Sequence, residues 1–116
     1  MRVLVVEDEP LLAMLLEQSL EELGHEVAGS AATVDQALAT LERGEVELAL
    51  LDFRLGPEVT SVPVASRLCD AGIPFIYLSG HRSLQEEGDI PRAPLLTKPF
   101  TLDQLDSAIR GTRLAA

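Results

Sequence analysis

Five short apolar runs punctuate this chain, and four of them end in residues that can do chemistry. Val3-Leu4-Val5-Val6 leads into Glu7 and Asp8, and Leu48-Ala49-Leu50-Leu51 leads into Asp52. Phe75-Ile76-Tyr77-Leu78 leads into Ser79, and Leu95-Leu96 leads into Thr97 and Lys98. If the runs are parallel strands of one sheet, three acids, a hydroxyl and an amine converge on its carboxyl edge, where open α/β sheets bind their ligands. Like charges brought together are costly unless something positive lies between them. Carboxylate oxygens are hard ligands, so Mg²⁺ or Mn²⁺ is the natural filler, held by one or two carboxylates and by water, with positions left for phosphate oxygens. Lys98 is a compact positive charge suited to one phosphoryl oxygen, and Ser79 can donate a hydrogen bond to another. A carboxylate can itself be the nucleophile and become an acyl phosphate. The protein then has only to position a donor and neutralise charge as the phosphoryl group moves.

The elements that must position these residues are legible too. Strand-like runs alternate with helical patterns, the signature of a parallel α/β sheet, and continuous apolar runs mark strands buried on both faces. Val27-Ala28-Gly29-Ser30 is a weaker second strand, expected nearer a sheet edge. Pro10 suits a first helical turn, followed by the leucines at 12, 15, 16, 20 and 23 and a stop at Gly24. Thr33 with Gln36, and Thr101 with Gln104, form capping boxes. Thr60 or Ser61 can cap a third helix carrying Val64, Ala65 and Leu68, with Gly72 after it. The stretch from His81 to Arg92 holds at most a turn or two of helix, over Ser83 to Glu87, because Gly88 and Pro91 limit it. Five strands and about five helices in strict alternation imply a doubly wound fold with right-handed crossovers.

Composition narrows the class of function. The chain has 116 residues, a size that suits one domain, and 47% of them are apolar, enough for a proper core without disulfides. The net charge of −10 argues against nucleic-acid binding, which rests on Lys and Arg neutralising phosphates. The apolar runs are too short to cross a bilayer, and no secretory signal is visible, so a cytoplasmic protein away from membranes is expected. The single cysteine, Cys69, fits a reducing compartment and is expected to be a small buried apolar residue.

Taken together, the segments Val3 to Pro10, Leu50-Leu51-Asp52, Leu78-Ser79-Gly80 and Thr97-Lys98-Pro99-Phe100 resemble the response-regulator receiver domain, the phosphoacceptor partner of histidine kinases. The resemblance covers essentially residues 1–116 as a single receiver domain without an output domain. It implies a CheY-like, flavodoxin-type five-stranded parallel sheet in the order 2-1-3-4-5. It places Asp52 at the phosphoacceptor, with Asp8 as the more direct metal ligand and Glu7 acting largely through water. The backbone carbonyl of Arg54 falls at a further metal ligand. Ser79 and Lys98 fall at the groups that hold the phosphoryl oxygens, and the Lys98–Pro99 bond is expected to be cis. Histidine kinases or histidine phosphotransfer proteins are the implied donors, with an unidentified downstream protein and a monomer or weak dimer through the last strand and helix. This sequence departs from the family pattern at Leu95, where many receivers carry a switch tyrosine or phenylalanine. Phe75 to His81, with Pro63-Val64-Ala65, looks like a subgroup of bacterial single-domain receivers in which an aromatic follows the fourth strand. Here His81 stands there, and it is expected to move inward on phosphorylation. Arg54 and His81, each two residues past a site residue, are placed to tune phosphoryl lifetime.

Plainer explanations compete for each residue. Glu7 and Asp8 are also favourable charge at a helix N-terminus. Ser79 can be a turn residue beside Gly80, and Lys98 an ordinary surface lysine. Among competing functions, a metal-dependent phosphohydrolase with Asp52 as nucleophile usually needs a second acid two residues on, where Arg54 stands. A pseudo-receiver that binds partners without phosphorylation has no need of the complete acid–hydroxyl–lysine set. A nucleotide- or flavin-binding α/β domain would need a glycine-rich or Walker-type loop after the first strand, where acids stand instead. The expected activity is therefore that of a signalling acceptor whose substrate is itself, not an enzyme turning over an external substrate.

Overall fold

In a computed structural model, the structure describes residues 1–80 and 88–114, with the side chains of 113 and 114 excepted. Five strands, β1 (Arg2–Val6), β2 (Glu26–Ala31), β3 (Leu48–Asp52), β4 (Phe75–Ser79) and β5 (Leu95–Thr97), form one sheet. Their order is β2-β1-β3-β4-β5 and every pairing is parallel. The helices are α1 (Pro10–Glu22), α2 (Val34–Glu42), α3 (Val62–Ala71) and α4 (Leu102–Leu114). The expected short helix over Ser83 to Glu87 lies outside the described residues, so these are four helices where about five were expected.

The pleat explains why the strands read as unbroken apolar runs. Successive side chains point to opposite faces, and both faces are covered. Val3, Val5, Leu48, Leu50, Ile76 and Leu78 pack under α1 and α4, against Leu16, Leu20, Leu105 and Ile109. Leu4, Val6, Ala49, Leu51, Phe75 and Tyr77 face α2 and α3, against Ala37, Val64, Ala65 and Leu68. The weaker second strand is indeed at the sheet edge. A Cβ at Gly29 would lie 3.0 Å from the Thr40 methyl, so glycine there lets α2 settle close on β2.

Two expectations about burial fail. Leu15 is 49% exposed, because the first two turns of α1 are apolar on every side and the helix is seated through Ala13, Leu16 and Leu20 instead. Cys69 is exposed, turned out of the core by the helical step from the buried Leu68.

The caps follow the sequence closely. Thr101 and Gln104 make a reciprocal box, each side chain accepting from the other's amide at 3.1 and 2.8 Å. The Thr33 hydroxyl accepts from the Gln36 amide at 3.1 Å, whereas the Gln36 side chain reaches Ala32 rather than Thr33. Helix α3 is different. Ser61 is its N-cap, and its amide donates to the Phe53 carbonyl at 2.8 Å. The Val62 amide donates to the Thr60 hydroxyl at 3.4 Å. The Ser61 hydroxyl is buried and has no hydrogen-bond partner among the described residues.

A buried hydroxyl with no partner costs about 1–3 kcal/mol in lost solvation. Ser61→Ala should therefore stabilise the protein by about 1 kcal/mol, which raises the unfolding midpoint by about 4 °C. Differential scanning calorimetry checks this, and a lowered midpoint would mean that the hydroxyl is satisfied in solution.

Candidate active site

The site forms at the carboxyl ends of β1, β3 and β4 and just past β5. β1 and β3 are adjacent, with Val6 beside Leu51, so Glu7 and Asp52 leave neighbouring strands side by side. β4 lies on the other side of β3, with Asp52 beside Leu78. Ser79 pairs with Thr97 at the next position out. The Ser79 carbonyl accepts from the Lys98 amide at 2.7 Å, which fixes where the lysine leaves the sheet. The Lys98–Pro99 peptide bond is cis.

Glu7, Asp8 and Asp52 each offer a carboxylate oxygen, and these atoms lie within 4.8 Å of one another. Glu7 is 2% exposed and Asp52 8%. The Lys98 ammonium lies between the two, 3.3 Å from Glu7 Oε2 and 3.2 Å from Asp52 Oδ1. Glu7 also holds the chain leading into α1. Its Oε1 accepts from the Glu9 amide at 3.3 Å, just before Pro10 begins the helix. The helix-terminus explanation of Glu7 is therefore compatible with its place in the acid cluster.

The electrostatics follow from this crowding. Burial disfavours the charge of Glu7, and the hydrogen bond and like charge it shares with Asp52 add to this, so its carboxyl is pushed up to about 7 against 4.5. Lys98 and the Glu9 amide oppose the rise without cancelling it. Burial also works against the Lys98 ammonium, but the charges of Asp52 and Glu7 and their hydrogen bonds outweigh it and hold the lysine above its ordinary value. One lysine thus faces more carboxylate than it can neutralise. A cluster of hard oxygen donors with surplus negative charge fits a divalent cation of the Mg²⁺ or Mn²⁺ kind, with Glu7, Asp8 and Asp52 as the side chains able to hold it.

The remaining sequence candidates divide. Arg54 is exposed, bridges to Thr60 through its backbone, and sets its guanidinium carbon 5.8 Å from the centre of the Phe53 ring. Leu95 is half-buried and packs against the core under α2 and α3. His81 lies outside the described residues. Tyr77 reads in the sequence as an anonymous strand residue, yet its hydroxyl donates to the Pro91 carbonyl at 2.8 Å. A signal for this exists in principle, since a tyrosine inside a buried run must find a hydroxyl partner.

The raised Glu7 carboxyl makes the ligand-free protein sensitive to pH. Glu7 binds its proton more tightly folded than unfolded, so its stabilising contribution is full below about 4.5 and is lost as pH rises through about 7. The slope reaches up to about 1.4 kcal/mol per pH unit. Urea unfolding in EDTA from about pH 5 to about pH 8 should show wild-type stability falling relative to Glu7→Gln, which cannot titrate. Parallel profiles would contradict the shift.

Comparison with known proteins agrees with this fold. The response regulator receiver domain matches residues 3–110. The transcriptional regulatory protein PdtaR of Mycobacterium tuberculosis is 32% identical over 112 residues, covering 93% of this chain and 54% of that protein. The crystal structure of the response regulator PhyR from Brucella abortus superposes with a TM-score of 0.85 at 38% identity, over 98% of this chain and 48% of that one. The solution structure of SdrG from Sphingomonas melonis Fr1 gives 0.81 at 38% identity, over 97% of this chain and 95% of that one. The chain spans about half the length of the curated relatives it matches. With its parallel sheet in the order 2-1-3-4-5 and its acids and lysine gathered at the carboxyl edge, this chain belongs to the response regulator receiver domains of bacterial two-component systems.

Proposed function

We propose that Asp52 accepts a phosphoryl group from a phosphohistidine donor, a histidine kinase or a histidine phosphotransfer protein, and that the phosphorylated domain signals by protein–protein contact or by passing the group on. One observation carries this reading. Lys98 spans Glu7 and Asp52 at 3.3 and 3.2 Å, with Asp8 beside them, at the end of a parallel sheet.

In the transfer, a bond forms between an Asp52 oxygen and phosphorus as the phosphorus–nitrogen bond of the donor breaks, and the imidazole leaves with the electron pair. Asp52 is 8% exposed, so it is little hydrated, and the donor must come to it. Lys98, already charged and already within reach of Asp52, is placed to meet the phosphoryl oxygens. Ser79, at the end of β4, is placed to donate its hydroxyl proton to another of them. A bound divalent cation, held by Asp8 and Asp52 with Glu7 behind them and the Arg54 carbonyl as a further candidate ligand, would supply charge neutralisation. Arg54, two residues past Asp52, is proposed to tune the lifetime of the acyl phosphate, as is His81. The net charge of −10 fits protein partners rather than nucleic acid.

Incubation with Mg²⁺ and acetyl phosphate, followed by intact-mass measurement, should show one added phosphoryl group. Asp52→Ala and an EDTA-treated sample should both lack it. Lys98→Ala should retain metal binding but lose at least about tenfold in phosphorylation rate, since an aimed charge-assisted contact in such a site is worth about 1.4 kcal/mol or more. Absence of the adduct together with absence of beryllofluoride binding would defeat the acceptor reading and leave a phosphorylation-independent binding module.

A further inference from the structure

Tyr77 stands in the middle of β4 with a ring that is 2% exposed. It meets two aromatic rings edge-on: Phe53, at 5.8 Å between centroids and 73° between planes, and Phe75, at 5.3 Å and 84°. Its hydroxyl donates to the Pro91 carbonyl at 2.8 Å, and its backbone amide donates to the Pro94 carbonyl at 2.9 Å. One residue therefore grips the chain entering β5 at two points. Ile90 and Ala93 of that chain pack against the same core. On its other side the ring touches Phe53, which is covalently next to Asp52 and is itself 1% exposed.

This places an aromatic ring and a hydrogen bond between the acid site and the surface segment around Pro91. Leu95, directly opposite Tyr77 in the β4–β5 register, has neither. Interiors are close-packed, so a shift of Phe53 cannot be absorbed in a void and must pass to the ring against it. A hydroxyl-to-carbonyl bond, by contrast, is short-range and weakens steeply once its length or angle is off. Packing transmits the displacement, and the hydrogen bond converts it into an on–off event.

We propose that Tyr77 is a latch that ties residues 88–94 to the sheet through Pro91 and that opens when a group bound at Asp52 displaces Phe53. Its trigger rests on the acceptor reading above, whereas its closed form does not. In the closed form the segment is held down. In the open form Tyr77 keeps its ring in the core but loses Pro91, and the surface around Ile90, Arg92 and Ala93 loosens for a partner to read.

Arg92 makes the latch measurable, because trypsin can cut the Arg92–Ala93 bond only when the segment opens locally. The full chain is compared with Tyr77→Phe, which keeps the ring and removes the hydroxyl. Without ligand, the variant should be cut at Arg92–Ala93 about tenfold faster, while cutting at Arg43–Gly44, at the far end of α2, stays unchanged. Beryllofluoride with Mg²⁺ should speed cutting of the wild type at Arg92–Ala93 and leave the variant where it was. Equal cutting of both proteins without ligand overturns the latch, as does equal acceleration at both bonds, which would mean general loosening. If beryllofluoride accelerates both proteins alike, the link to Asp52 is overturned. Beryllofluoride binding is followed separately through the NMR shift of the Lys98 amide. Failure to bind counts against the acceptor reading, and the ligand-free comparison still decides whether Tyr77 holds the segment.

Discussion

The constraint on which the rest of this structure depends is the gathering of three carboxylates, with one ammonium group set between two of them. In water such a cluster would disperse at small cost, because unit charges a few ångströms apart interact by only about 1 kcal/mol. At the end of a buried sheet, with Glu7 and Asp52 almost inaccessible, the repulsion is far stronger and the acids cannot move apart. The fold answers in two ways. It brings Lys98 across from the edge of the sheet to sit between two of the acids, and it lets Glu7 hold its proton up to about neutrality. Neither brings a positive charge to the third acid, Asp8, which is why the cluster could hold a divalent cation.

The parallel sheet is what makes this possible from residues scattered over most of the chain. Every pairing in the sheet is parallel, so every strand delivers its last residue to the same edge. The central pair β1 and β3 carries the acids, β4 carries the hydroxyl, and the short β5 carries the lysine at its end. Covering both faces with helices forces the strands to be apolar throughout. The only polar positions left to a strand are at its ends, so chemistry collects there by exclusion as much as by selection.

That exclusion is also why so much is legible in the sequence. An unbroken apolar run followed at once by Asp52, or by Glu7 and Asp8, signals both the strand and its functional end. The capping pair Thr101 and Gln104 announces α4 by local hydrogen bonding alone, and the structure shows both halves of it. Where local pattern is ambiguous, the sequence misleads. Helix α1 is apolar on several sides, so periodicity cannot choose the face seated on Ala13, Leu16 and Leu20, and it puts Leu15 on the wrong side. The expectation for Cys69 follows the habits of its residue type, while its actual position is set by the rotation of α3. The contacts of Tyr77 are beyond reach for another reason. Its hydroxyl partner is a backbone carbonyl fourteen residues away, and a carbonyl has no residue type to recognise.

The crowded acids and the apolar frame around them pull stability in opposite directions, and the proposed chemistry uses that tension. The frame is closely packed and holds Asp52 and Glu7 where they would not stay alone. The acids then give back part of the stability the frame supplies, and Glu7 gives back more as its proton is lost through about pH 7. Any ligand that brings positive charge to Glu7, Asp8 and Asp52 relieves that repulsion, so its binding energy is also folding energy. Lys98 is then the residue that decides how far the relief spreads, because it answers to Glu7 and Asp52 together and its backbone is tied to the end of β4 at Ser79. A charge added at Asp52 must redistribute the hold of Lys98 on Glu7, and so the start of α1 and the end of β4 feel one local change at the same time.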